Sequence, residues 1–312
     1  MDIFRPRTQP PSLSALICFE AAARHESFTA AAEELGLTQS AVSKTIRELE
    51  ATLGVQLFRR VGRGIKLSAV GRSYAADTTR DLHKLEHSRH RAMLLGQGKH
   101  LLRVATLPTF TNLWLVPRLP EFLSTHPEIE LEFATRLLPF DLGADSFDLA
   151  FHYGLQNWPD TRMIPLFGEE MLPVCTPEFQ AAHGLGSPAT IYKMRLLHMT
   201  SRPRAWSDWF QHAGIHALPP APGLSFDQYG MVINAALSGL GVALVPRHMV
   251  APELRTNQLI ALAPKMPASD TAYYIVHPTG PLSQSAKAFV SWVQGLTAEV
   301  KPYGMSAQQK DN

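Results

Sequence analysis

Between residues 12 and 54 apolar positions recur three times at helical spacing. Leu13, Leu16, Phe19 and Ala23 follow Ser12; Phe28, Ala31, Ala32 and Leu35 follow Ser27; Val42, Ile46, Leu49 and Leu53 follow Thr38. Each run starts with a hydroxyl residue able to accept a bond from the free N–H groups of a first turn. Gly36 and Gly54 supply left-handed residues that stop the second and third helices. The link Gly36-Leu37-Thr38 is a three-residue turn containing glycine, as in a helix-turn-helix. Alanines in the second helix let the third cross it closely.

The third helix has a second face. With Val42, Ile46 and Leu49 inward, Ser40, Ser43, Lys44 and Arg47 share the outer side, with Gln39 at its start. Hydroxyls, an amide and two cations suit base edges and phosphates in a major groove. A plainly solvated helix face is the bland alternative. Next, Leu57 and Phe58 read as one short strand and Ile65 and Leu67 as another, around a turn at Gly62–Gly64. Arg59, Arg60, Arg63 and Lys66 crowd this hairpin, a basic wing suited to a DNA backbone or minor groove.

From residue 70 to 95 the pattern predicts a long polar helix. Its seam of Ala75, Thr78, Leu82, Leu85, Arg89 and Ala92 is only partly apolar. Gly96-Gln97-Gly98 reads as a hinge. Beyond residue 100 strand and helix patterns alternate: a strand over 101–107, a helix around 114–124, an alternating strand over 130–134 and a short apolar strand over 148–151. Such alternation predicts α/β lobes with mostly parallel sheets, whose ligands sit beyond the carboxyl ends of the strands.

Composition adds limits. The chain has 312 residues, 45% hydrophobic and 18% charged, which suits two or three globular domains. There are 14 Lys and Arg against 10 Asp and Glu through residue 96, and 15 against 17 beyond it. A small basic module ahead of a near-neutral body fits polyanion binding. No run of 18 apolar residues suggests a membrane span, and MDIFRPRTQPPSLS lacks the apolar core of a secretory signal. Two isolated cysteines, Cys18 and Cys175, predict no disulfide framework, so a cytoplasmic setting is expected.

Known catalytic signatures are missing: no GxSxG, no GxxxxGK[ST], no HExxH, no GxGxxG after a strand. His83, His87 and His90 share a helix face but read as solvated rather than metal-binding, and Cys175 reads as core. The expectation is therefore no enzyme, cofactor or metal. Two classes remain: a ligand-responsive DNA-binding regulator, or a small-molecule binding protein or enzyme whose N-terminal helices serve only assembly. Four cations on a wing favour the first.

The stretch FEAAARHESFTAAAEELGLTQSAVSKTIRELEATLGVQLFRR, with LSAVG after it, resembles the winged helix-turn-helix of LysR-type transcriptional regulators. WLVPRLPEF, FDLAFHYG, LPVCTPEF and GLGVALVP are similar to the subgroup of glycine-cleavage activators and β-lactamase regulators. The resemblance implies an N-terminal all-α winged helix-turn-helix over residues 1–69 and a dimerising linker helix and hinge over 70–98. A two-lobed, periplasmic-binding-protein-like α/β effector domain would fill 99–300, and a tail 301–312. Lobe I would hold 100–169 and 271–300, lobe II 170–270, with crossovers near MLPVCTP and MPASDTAYY.

It further implies double-stranded promoter DNA, a small effector and a homodimer or homotetramer, with RNA polymerase a further candidate partner and no membrane. DNA contacts are assigned to Ser27, Thr38, Gln39, Ser40, Ser43, Lys44, Arg47, Arg59, Arg60 and Arg63. Five loops would surround the interlobe cleft. They offer Pro108, Thr109 and Phe110; Phe140 and Asp141; Thr200, Ser201 and Arg202; Gln228 and Tyr229; and Tyr273. Some of these read equally well as helix caps, Thr109 and Asp227 above all. Asp141, Arg202, hydroxyls and aromatics together suit a small zwitterion, such as an amino acid, or a carboxylate.

Overall fold

The computed structural model describes residues 10–62, 64–216, 223–262, 266 and 271–298. The chain divides into two compact units between Gln97 and Gly98.

The first unit begins with α1 (Leu13–His25), α2 (Phe28–Leu35) and α3 (Gln39–Leu53). Ser12, Ser27 and Thr38 cap them, each accepting an N–H three residues on, from Ala15, Ala30 and Ala41. Phe19, Ala22, Ala31, Val42 and Ile46 are at most 1% exposed and form the core that fixes the crossing of the helices. Strands β1 (Phe58–Val61) and β2 (Gly64–Leu67) pair antiparallel as the wing; Leu57 precedes the first rather than joining it.

Then α4 runs from Ala69 to Gly96, capped by Ser68 through the Gly71 N–H. Gly71 packs against the chain entering the wing, where a Cβ would collide with the Leu57 carbonyl oxygen. Along the seam Thr78 is buried, whereas Leu85 is 54% exposed.

The second unit holds two five-stranded sheets. Lobe I has β4 (Ile129–Thr135), β3 (His100–Thr106), β5 (Leu149–Gly154), β12 (Ala272–Pro278) and β6 (Thr161–Gly168), in that order. Lobe II has β11 (Ile260–Ala261), β7 (Met171–Cys175), β10 (Val242–Pro246), β8 (Leu196–Met199) and β9 (Leu224–Phe226). The sheets are mixed, contrary to the mostly parallel expectation. β3 is parallel to β4 and β5, but β12 is antiparallel to β5 and β6; β8 is parallel to β9 and β10, but β7 is antiparallel to β10 and β11. The antiparallel pairings involve β6, β7 and β12, the strands next to the two crossings between lobes. One of them, β6 over Thr161–Gly168, is not among the strands that the alternating pattern predicts.

One face of the lobe I sheet is covered by helical chain over 108–125 and by the helix Gln284–Ala298. The helix expected around 114–124 is irregular. A π turn over Thr111–Leu115 and a 3-10 turn over Val116–Arg118 precede the α-helix Leu119–Thr125. Pro117 and Pro120 lack the N–H groups that a continuous α-helix needs.

Candidate functional site

On α3, Val42, Ile46 and Leu49 are buried while Gln39, Ser40, Lys44 and Arg47 are exposed and Ser43 is half-buried. Thr38 and Ser40 share a 3.1 Å hydrogen bond, so the start of the helix presents a fixed pair of hydroxyls. Arg47 Nε donates to the Ser43 carbonyl at 3.2 Å, laying its guanidinium along the helix. Lys44 lies 3.8 Å from Glu48, both largely exposed, so that pair is weak and easily exchanged. Ser27 is half-buried and spends its hydroxyl as a cap.

Arg59 and Arg60 stand exposed on β1; Arg63 lies outside the described residues. Lys66 departs from the wing expectation. Its ammonium is paired with Glu26, whose other oxygen accepts the Leu67 N–H at 3.3 Å. The Lys66 hydrogen bond, with the Leu67 N–H, draws the Glu26 carboxyl below the usual range. Lys66 therefore ties the wing to the end of α1.

In the second unit the crossing from β6 to β7 is Glu169-Glu170. Alternation sends the two carboxylates apart. Glu170 meets Arg247 at 3.2 Å, whereas Glu169 turns inward and is 2% exposed. There Arg202 grips both oxygens of Glu169, one at 3.3 Å, and Tyr273 O–H donates to Glu169 Oε1 at 2.7 Å. Arg202 is set by the tight turn after β8, where its N–H reaches the Met199 carbonyl at 2.9 Å. Its guanidinium lies 4.4 Å from the Tyr153 ring centre and 5.1 Å from that of Tyr229. Tyr153 shares a 2.7 Å hydrogen bond with Thr271.

Burial opposes the Arg202 charge, but Glu169, Tyr229 and Tyr153 outweigh it and hold the guanidinium firmly protonated. Burial, then the Glu169 charge, pushes the Tyr153 phenol up to about 12 and Tyr273 further. His248 packs against the Tyr273 ring at 5.2 Å, its Nε2 without a partner among the described residues. Burial first drives its pKa down to about 4, so it is neutral at pH 7.

Above this cluster opens a cavity of about 360 Å³, bounded by Tyr153, Glu169, Met171, Arg202, Asp208 and Thr271. Of the residues expected to hold a ligand, only Arg202 lines it. Thr109 caps no helix: its hydroxyl accepts the Gly230 N–H at 3.2 Å and joins lobe I directly to lobe II. Pro108 stands beside it at the first position of a one-turn helix. Gln228 is exposed at the start of the helix Tyr229–Leu237 without capping it, and Asp227 does not cap it either.

Phe110 is fully buried, stacked on Trp114 and Tyr273 at 5.0 and 4.9 Å, so it is core rather than cleft surface. Tyr229 is buried too, with its hydroxyl unpartnered among the described residues. Thr200 and Ser201 are exposed, and the Thr200 N–H bonds the Phe226 carbonyl. Phe140 and Asp141 are not in this cavity but line another, with Trp158 and Asp160. The carboxylate beside Arg202 is thus Glu169. FGEEM, an acid pair between two apolar strands, was the available signal for it.

No helix among the described residues is long and apolar enough to cross a membrane. Residues 13–72 match the bacterial regulatory helix-turn-helix protein of the lysR family, and residues 96–298 match the LysR substrate binding domain. The glycine cleavage system transcriptional activator of Escherichia coli K12 is 38% identical over 290 residues, covering 92% of this chain and 94% of that one. The HTH-type transcriptional activator AmpR of Pseudomonas aeruginosa is 38% identical over 248 residues, 79% of this chain and 82% of that one. The solved effector domain of that AmpR superposes with a TM-score of 0.57 at 31% identity, covering 64% of this chain and 96% of that domain. The chain belongs to the LysR family of transcriptional regulators, with a DNA-binding helix-turn-helix ahead of an effector-binding α/β domain.

Proposed function

We propose that this regulator reads promoter DNA with the outer face of α3, using Gln39, Ser40, Ser43, Lys44 and Arg47, while Arg59 and Arg60 rest on the backbone. Exposure of Gln39, Ser40, Lys44 and Arg47 on one capped helix, with Ser43 half-buried beside them, supports the reading. It acts as a dimer or higher oligomer: Leu85, Met93 and Leu95 are each more than half exposed on α4, apolar area for a second copy to cover.

Its effector is a small zwitterion of the amino-acid kind, held between the lobes. The carrying observation is the Glu169–Arg202 pair at the base of the cavity. A carboxylate can share the donors of Arg202 beyond those spent on Glu169, and an ammonium can share Glu169. The paired charges leave the site near neutrality, which suits neither a bare anion nor a bare cation. Calorimetry on the full chain with amino acids, their decarboxylated amines and their deaminated acids tests this. Amino acids should bind at least tenfold more tightly than either half. Equal binding of the acid or the amine would refute the zwitterion.

A promoter mobility shift with and without the effector tests the regulator reading against assembly-only helices combined with binding or catalysis in the second unit. Absence of sequence-specific shift would favour the latter.

A further inference from the structure

The second face of the lobe I sheet is built differently from the first. Ala105, Ala150, Tyr274 and Val276 of this face pack with Leu142, Phe147 and Trp158, which come from irregular chain between β4 and β6. This roof leaves a cavity of about 490 Å³, larger than the one beside Arg202. Its walls include Phe140, Leu142, Trp158 and Pro278, and its polar groups include the carboxylates of Asp141 and Asp160.

The chemistry of these walls is one-sided. Trp158 Nε1–H donates to the Phe140 carbonyl at 3.0 Å, so the polar edge of the indole is satisfied. Asp141 Oδ1 accepts the Ala144 N–H at 2.8 Å, which fixes that carboxylate at the rim. Asp160 makes no hydrogen bond or ion pair among the described residues. No Lys, Arg or His lines the cavity. Two guanidinium groups lie against the roof but are not walls: Arg136, 5.8 Å from the Phe140 ring centre, faces Asp145 at 3.9 Å, and Arg103, 4.3 Å from that of Phe147, is paired with Glu132 at 2.7 Å. Two carboxylates beside aromatic faces attract a cation with an apolar body. The volume is that of a small-molecule site.

We propose that this cavity is a second small-molecule site, separate from the interlobe cleft, and that it takes a compact organic ammonium: a primary amine on an aromatic or branched aliphatic body. The ammonium sits between Asp141 and Asp160, and the body lies against Trp158 and Phe140. The assignment stands independently of the effector proposed for the cleft.

The test is calorimetric titration of the full chain with 2-phenylethylammonium, with 2-phenylethanol as the uncharged analogue. The ammonium should saturate one site per chain and bind about tenfold more tightly than the alcohol. Asp160→Asn and Asp141→Asn should each weaken it about tenfold. Asp160→Asn, at an exposed position, serves if Asp141→Asn disturbs the turn. Trp158→Phe keeps a ring in the wall and should abolish the ligand-induced change in tryptophan emission while leaving calorimetric affinity within a few-fold. Asp208→Asn, in the cleft cavity, should change nothing. Equal binding of the alcohol, wild-type affinity in Asp160→Asn, no saturation in the millimolar range, or loss of binding in Asp208→Asn would each overturn the proposal.

Discussion

Glu169 lies on the first link between the lobes and Arg202 in lobe II, and they hold one another through both carboxylate oxygens. Glu169 is almost fully buried and the Arg202 side chain is 25% exposed. Breaking such a pair strands a charge in the lower-dielectric site, though water can reach part of Arg202. Glu169→Gln should therefore lower stability by about 2–3 kcal/mol in urea unfolding of the full chain. Arg202→Lys should lose much of the same, because an ammonium cannot span both oxygens. Wild-type midpoints for both variants would show that the pair contributes nothing to the hinge.

Thr109 and Gly230 connect the lobes directly through one hydrogen bond. Thr109→Val keeps the shape but removes the acceptor, at a cost of about 1 kcal/mol for one hydrogen bond. The interlobe equilibrium should shift while basal DNA binding stays intact. A reporter under the protein's own promoter, with a footprint in parallel, should show an altered effector response on an unchanged protected region. Loss of the footprint itself would make Thr109 merely structural.

The two basic surfaces of the first unit should behave differently on DNA. Ser43→Ala and Arg47→Ala should each weaken specific binding by about 1–3 kcal/mol if they meet bases, and leave random DNA little changed. Charge reversal at Arg59 and Arg60 should weaken both DNAs and flatten the salt dependence. Identical salt slopes before and after reversal would remove the wing from the backbone.

His248 gives an acid limb to stability. Its pKa falls from the ordinary 6.5 to about 4 in the fold, so the unfolded chain takes up a proton first as pH drops. The stabilisation is complete above pH 6.5 and is lost as pH falls through 4, about 3 kcal/mol in all. The charged groups felt there are Glu169, Arg118 and Arg202. His248→Phe, an apolar ring between Phe167 and Tyr273, should flatten unfolding free energy across that window. An unchanged slope between pH 6.5 and 4 would show that His248 does not carry it.

Local signals were legible in the chain. Ser12, Ser27 and Thr38 act as the caps their positions imply, because a cap depends only on the three residues that follow. The wing was legible for the same reason, but the partner of Lys66 was not: Glu26 is 40 residues away, and only the packed unit brings them together. The cleft was legible in outline and misread in detail. Phe110 looked like a loop aromatic on the cleft surface, and burial among Trp114, Phe151 and Tyr273 won. Asp141 followed the expected strand, yet its loop turns under the opposite face of the sheet. Glu169 stands in an acid pair that carries no local sign of burial, and its inward turn follows from where the chain crosses between sheets.

The order of strands in lobe I also fixes a sequence of events during synthesis. β12 lies between β5 and β6, so that sheet lacks an inner strand until residues 272–278 leave the ribosome. The strands of lobe II end by Ala261, and the helices and wing of the first unit close far earlier. The nascent chain thus completes its DNA-binding unit first, lobe II second and lobe I last. Until then β5 and β6 expose unpaired edges to other chains, and truncation before residue 272 leaves those edges open permanently.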